Sequence, residues 1–98
     1  MLKSFDINIR ELILEAITNY NKYRSPEATA KLIALEKSKF RIKFSGSFCH
    51  TCGVDAYFED LIYELTNLSN QISVEMTLIR QTGPESYEVD YGVSSTKS

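Results

Sequence analysis

Two long segments of the chain repeat their apolar residues with the period of an α-helix. Their apolar positions are Ile9, Leu12, Ile13, Ala16, Ile17 and Tyr20 in the first segment, and Val54, Phe58, Leu61, Leu65 and Leu68 in the second. Asn8 and Glu11 have the spacing of an N-cap and its capping partner, and Pro26 disfavours helical geometry at Ser25. The pattern predicts one helix over residues 8–23 and a second over residues 54–68.

Four shorter segments alternate apolar and polar residues, as strands with one buried face do. The first two form a hairpin pattern from Leu32 to Ser45, with a polar turn near residues 36–39. The apolar positions of the other two are Ile72, Val74, Met76 and Leu78, and Tyr87, Val89, Tyr91 and Val93. The sheet side of the core is expected to be built from Leu32, Phe40, Ile42, Phe44, Val74 and Met76.

The order of these elements is α-β-β-α-β-β. It predicts an α+β fold, a two-layer sandwich with both helices on one face of a small mixed or antiparallel sheet. No internal repeat or shift in composition divides the chain. Residues 1–93 are therefore expected to form a single domain, and the polar residues 94–98 are expected to form a flexible tail.

Composition narrows the classes of function. The 98 residues are 43% hydrophobic and carry a formal net charge of −2, whereas domains that bind phosphate backbones usually cluster Lys and Arg. Nucleic acid is therefore a disfavoured partner. The first segment contains Asp, Glu and Arg among its apolar residues, which fits neither a secretory signal nor a membrane span. We therefore expect a cytoplasmic protein with no membrane partner.

The candidate chemistry lies in "SGSFCHTCGVDAYFED", residues 45–60, which holds both cysteines and the single histidine. Cys49 and Cys52 fall between the second strand and the second helix, where unpaired backbone N–H groups favour a thiolate. The pair could bind a metal such as zinc, act as a redox couple, or be structural, free or disulfide-bonded. His50 is a candidate third ligand, an activator of Cys49, or a solvated loop residue. One chain supplies too few thiolates for the four ligands of a structural zinc or iron–sulfur site.

This segment resembles the C-terminal domain of NifU and its stand-alone relatives, the Nfu-type iron–sulfur scaffold proteins. The sequence "FRIKFSGSFCHTC" has the alternating strand, Gly46 three residues before Cys49, and the Cys-x-x-Cys motif. The sequence "AYFEDLIYEL" stands where the family has its apolar second helix. The resemblance covers about residues 8–80. Gly53 replaces the proline that usually follows the second cysteine in the family, and the fourth strand is an addition to the family's minimal pattern.

The resemblance implies an iron–sulfur cluster scaffold or carrier that is not an enzyme. In this reading, Cys49 and Cys52 from two copies would bridge one cluster at the two-fold axis of a homodimer. The cofactor would be an iron–sulfur cluster, and the partners would be the apo-proteins that receive it.

Other classes of function stay open. A small thiol redox protein, or a non-catalytic interaction protein with a structural cysteine pair, accounts for the same residues. The α-β-β-α core also resembles KH-type RNA-binding modules, but those need a Gly-x-x-Gly loop and a basic groove. Gly46 and Gly53 are seven residues apart, so KH-like RNA binding is the weakest of these alternatives.

Overall fold

The computed structural model describes residues 9–47 and 54–95, which form two helices and a four-stranded sheet. The elements are α1 (Ile9–Arg24), β1 (Thr29–Leu35), β2 (Lys39–Ser45), α2 (Val54–Leu68), β3 (Ile72–Gly83) and β4 (Ser86–Ser95). Both helices pack on one face of the sheet. The predicted α+β fold and its α-β-β-α-β-β order are confirmed. Neither α1 nor α2 is long and apolar enough to cross a membrane.

Helix α1 buries one apolar stripe and ends close to the proline that was expected to end it. Its buried residues recur with helical spacing and are Ile13, Ala16, Ile17 and Tyr20. After the helix ends, the N–H of Ser25 donates to Asn21 O at 3.0 Å, which satisfies one of the last carbonyls. Pro26 follows at once, so the helical geometry cannot continue.

The sheet is antiparallel throughout, with the strand order β1-β2-β4-β3. Strand β4 pairs with β2 on one side and with β3 on the other. Val89 and Tyr91 of β4 are fully buried beneath the helices. The last strand of the sequence therefore lies in the middle of the sheet and forms part of the core.

Strand β1 begins at Thr29, three residues before the apolar pattern starts at Leu32. Asn21 of α1 explains the difference. Its side-chain amide donates to Ala30 O at 3.1 Å, and its Oδ1 accepts from the N–H of Ala30 at 2.7 Å. The amide thus satisfies the backbone of Ala30 at the free edge of the sheet, as a neighbouring strand would.

Aromatic rings and two tyrosine hydroxyls join the helices to the sheet. The ring centroid of Phe44 lies 5.6 Å from that of Tyr20 and 4.9 Å from that of Phe58. Tyr20 Oη donates to Tyr57 O at 2.9 Å. Tyr91 Oη donates to Phe58 O, also at 2.9 Å. Burial raises the pKa of both tyrosines well above the usual range, so each hydroxyl stays protonated and holds α2 in place.

The opposite face of the sheet, which we call the open face, is not covered by any element of residues 9–47 and 54–95. The strand residues on this face alternate with the buried ones. They include Thr29, Lys31 and Ala34 of β1, Lys39, Arg41, Lys43 and Ser45 of β2, Ser73, Glu75, Leu78 and Arg80 of β3, and Ser86, Glu88, Asp90, Gly92 and Ser94 of β4. The open face is therefore polar and densely charged.

Candidate functional site

The cysteine segment that the sequence singles out, residues 48–53, lies outside the described residues. The predicted site residues Cys49, His50 and Cys52 all fall within it, so their roles stay predictions. Helix α2 begins directly after the segment, at Val54, as the pattern predicted. Within residues 9–47 and 54–95, no three His, Cys, Asp or Glu side chains are grouped as metal ligands would be.

Gly46 fixes the chain where it leaves β2 toward that segment. Its φ is 134°, and a Cβ at this position would overlap the backbone carbonyl of Glu27. The N–H of Gly46 donates to Glu85 O at 3.1 Å. Tyr57 Oη donates to the Glu27 carboxylate at 2.7 Å, and this hydrogen bond raises the pKa of Tyr57. The backbone at position 46 therefore requires glycine.

The described residues bring together a group of cations on the open face. Strands β1 and β2 carry Lys31, Lys39, Arg41 and Lys43 and no carboxylate. We call these four residues the basic face. On the other side of the molecule, helix α2 carries four carboxylates and no Lys or Arg: Asp55, Glu59, Asp60 and Glu64. Although the net charge is negative, the two faces therefore differ in their local charge.

Arg41 of the basic face is held by Asp90 of β4. Arg41 Nε lies 2.6 Å from Asp90 Oδ1, and a second nitrogen, Nη2, lies 3.2 Å from Oδ2. This hydrogen bond holds the pKa of the Asp90 carboxyl below its usual value and raises that of Arg41. Nearer the β3 edge, Arg80 Nη2 donates to Glu88 Oε1 at 3.0 Å. The charges of the β4–β3 half of the face are therefore largely paired.

Lys31 and Lys43 lie directly opposite each other in the β1–β2 register. Residues so placed have Cβ atoms about 5 Å apart, so the two ammonium groups share one patch of surface. Among the described residues, no carboxylate lies within ion-pair distance of either lysine. Glu88 is the neighbour of Lys43 on β4, but its carboxylate pairs with Arg80. Like charges placed in this way destabilise a sheet, so fold stability does not explain the pair.

A small pocket opens beside Arg41. It has a volume of about 80 Å³ and is lined by Ala34, Glu36, Lys39, Phe40, Arg41 and Asp90. Pockets that hold small-molecule ligands usually measure roughly 300–1,000 Å³. This part of the open face is therefore better suited to a macromolecular surface than to a small substrate.

The lowered pKa of Asp90 predicts a specific dependence of stability on pH. Because the folded-state pKa lies below the unfolded one, the Arg41–Asp90 pair stabilises the fold above the ordinary aspartate pKa of about 4. Its contribution is lost as the pH falls through the lowered value. We expect the stability difference between wild type and Asp90→Asn, measured by urea denaturation, to be present at neutral pH and to shrink in acid. A difference that grows as the pH falls would contradict this account.

No family model and no curated protein matches the sequence. Two solved structures match over most of the chain, and both are H-NOX proteins. One, from a study of heme distortion in the H-NOX family, covers 91% of this chain and 47% of its own, with 14% identity and a TM-score of 0.49. The other, a Cs H-NOX mutant with 4-cyano-L-phenylalanine at site 5, covers 92% and 50%, with 16% identity and a TM-score of 0.46. The chain thus spans about half the length of each, and neither likeness is strong enough to indicate a shared ligand or activity.

The predicted membership of the NifU C-terminal family is wrong. No family model supports it, and the solved structures that match are H-NOX proteins. The sheet gives a physical reason, because β4 lies between β2 and β3 and is not an addition to a minimal three-stranded pattern. The iron–sulfur scaffold function and the bridging cluster rested on that resemblance, and zinc was the other metal considered. The iron–sulfur function and cofactor are therefore wrong together with the family, and residues 9–47 and 54–95 contain no group of metal ligands.

The basic face was not predicted, although its signal is present in the sequence. In "KFRIKFS" the residues that alternate with the buried Phe40, Ile42 and Phe44 include three cations. The net charge of −2 conceals this cluster because it averages the basic hairpin with acidic segments such as α2. Charge counted separately for each face of the predicted sheet would have revealed it.

Proposed function

We propose that this chain is a non-catalytic interaction module that binds an acidic segment of a partner protein on its basic face. The observation that carries the proposal is the Lys31–Lys43 pair, two adjacent cations with no carboxylate of the described residues within ion-pair distance. A carboxylate-rich segment lying across β1 and β2 would supply the missing countercharge. The free energy of binding would then offset the destabilisation of the sheet by these two like charges.

The chemistry of the face favours a protein partner over a nucleic acid. Single-stranded nucleic acids are usually bound by basic grooves that also present aromatic rings for the bases to stack on. The aromatic residues of β2 and β4 lie at helix-facing positions of the sheet: Phe40, Phe44, Tyr87 and Tyr91. The open face therefore offers charge without a stacking surface, which suits carboxylate side chains better than bases.

The proposal is tested with a fluorescently labelled glutamate-rich peptide and anisotropy titrations at low salt. We expect saturable binding by wild type and at least about a tenfold loss of affinity in the double variant K31E/K43E, because two attractions become two repulsions. Lys22→Glu reverses an exposed charge on α1 and is expected to leave binding within about twofold of wild type. Because Lys22→Glu reverses one charge and K31E/K43E reverses two, a loss of binding free energy in Lys22→Glu of half that in the double variant or more would point to non-specific attraction and would contradict a defined face.

Asp90→Asn provides the opposite change at the same face. It removes the negative charge of the carboxylate that occupies Arg41, so we expect the peptide to bind more tightly. A single-stranded oligonucleotide and anionic lipid vesicles serve as competing probes. Tighter binding of either probe than of the peptide, with the same dependence on Lys31 and Lys43, would overturn the choice of an acidic protein segment.

Changing the cysteines distinguishes this proposal from the remaining alternative, a thiol redox protein. The double variant C49S/C52S is expected to bind the peptide as wild type does, because the basic face is formed by β1 and β2 alone. Loss of peptide binding in C49S/C52S with the fold intact would instead assign the interaction to the cysteine segment.

A further inference from the structure

Strand β3 is one of the two edges of the sheet and has an unusually apolar exposed segment. It runs for 12 residues, from Ile72 to Gly83. Leu78 and Ile79 near its centre are 47% and 39% exposed. At the other edge, Asn21 already satisfies the backbone of Ala30 in β1. Long exposed edges tend to pair with another strand, so β3 is the edge to consider.

A register shift in β3 determines which side chains share a face. The shift lies between Met76 and Leu78. On its two sides, Met76 is opposite Tyr91 and Ile79 is opposite Val89, so both point to the helix side of the sheet. Without the shift, residues three apart would point to opposite faces.

The same shift brings two opposite charges to the open face. Glu75 is opposite Gly92, and Arg80 is opposite Glu88. Both are exposed. Glu75 has no ion pair among the described residues. On the open face, Glu75 and Arg80 therefore lie on either side of the apolar centre of β3. Both are the same number of residues from the midpoint between Thr77 and Leu78.

The segment is self-complementary about that point. If two copies of β3 pair antiparallel around a two-fold axis there, Met76 faces the partner's Ile79 on the helix side. On the open face, Glu75 faces the partner's Arg80, and Arg80 faces the partner's Glu75. Each pairing occurs twice by symmetry, as an isologous contact requires. Cross-strand apolar pairs and opposite charges both stabilise antiparallel strands.

We propose that the β3 edge pairs with β3 of a second copy of this chain, which joins the two sheets into one eight-stranded antiparallel sheet. Residues that face each other across antiparallel strands lie on the same side of the sheet, so the two basic faces of the dimer would lie on one side of the joined sheet, at its two ends, separated by both copies of β4 and β3. The contact is small, so the dimer should be reversible and should form at high protein concentration. The proposal does not depend on what the basic face binds.

The test uses sedimentation equilibrium on wild type and two charge reversals. Wild type should show a monomer–dimer equilibrium. Glu75→Arg and Arg80→Glu should each raise the dimer dissociation constant by about tenfold or more, because each places like charges opposite each other twice. An equimolar mixture of the two variants should restore association, since the positive positions of one variant then face the negative positions of the other.

Two controls keep the outcome decisive. Glu59→Arg makes the same change of charge at an exposed position on α2 and should leave the dimer unchanged. Arg80→Glu also breaks the pair with Glu88, so circular dichroism must show that it is folded, whereas Glu75→Arg breaks no ion pair among the described residues. A wild type that is monomeric throughout, a dimer that tolerates Glu75→Arg, or a mixture that stays monomeric would each overturn the proposal.

Discussion

Replacing Gly46 by alanine is expected to lower the free energy of unfolding by about 3 kcal/mol or more. Two causes act together at this position. The φ of 134° is disfavoured for any residue with a side chain, and the added Cβ would overlap the carbonyl group of Glu27. Backbone atoms cannot move aside as a flexible side chain can. Relief of the overlap would displace the end of β2 and break the hydrogen bond from Gly46 to Glu85.

Gly92→Ala is the matched control for this prediction. Gly92 lies in β4, does not have a positive φ, and a Cβ there would lie 3.4 Å from a methyl group of Thr77. We expect its effect to stay within about 1 kcal/mol. Both variants are compared by urea denaturation followed by circular dichroism. If Gly46→Ala were as stable as Gly92→Ala, the close packing of Gly46 against Glu27 would be wrong.

Truncating Phe44 to alanine is expected to cost about 4 kcal/mol. Phe44 is fully buried, and its ring contacts those of Tyr20 in α1 and Phe58 in α2. Its loss would leave a cavity between the sheet and both helices. These neighbours are themselves fixed by hydroxyl hydrogen bonds and packing, so they can collapse only partly into the space.

The variant Phe44→Leu distinguishes the loss of buried volume from the loss of the aromatic ring, because leucine keeps most of the buried volume and lacks the ring. We expect a cost of about 1–2 kcal/mol for it, measured in the same denaturation experiments. A cost below about 1 kcal/mol for Phe44→Ala would show that Phe44 does not lie at the centre of the core.

The helices could be predicted from the sequence because their signals are local. Helix α2 occupies the predicted range, Val54–Leu68, and α1, which was predicted to end at residue 23, ends at Arg24. The strand order could not be predicted, because it depends on pairings between residues far apart in the sequence, such as Ile42 with Val89. The alternating pattern of the sequence also did not indicate the register shift in β3. This shift moves Leu78 from the expected apolar face to the open face.

The candidate site was predicted less well than the fold, for two physical reasons. Cys49 and Cys52 attracted the functional interpretation because cysteine pairs have distinctive chemistry, but a short motif on a common order of elements does not specify a family. The lysines of the basic face gave a weaker signal. The closeness of Lys31 and Lys43 depends on strand register, and lysines on a polar strand face are ordinary until the register is known.

The most direct test of the basic face is a nuclear magnetic resonance titration of the ¹⁵N-labelled protein with the glutamate-rich peptide. Our account predicts saturable shifts of backbone amides in β1 and β2, centred on Lys31 and Lys43, with the amides on the outer sides of α1 and α2 unchanged. Shifts confined to the helices or to residues 48–53, or no saturable shifts at all, would contradict it.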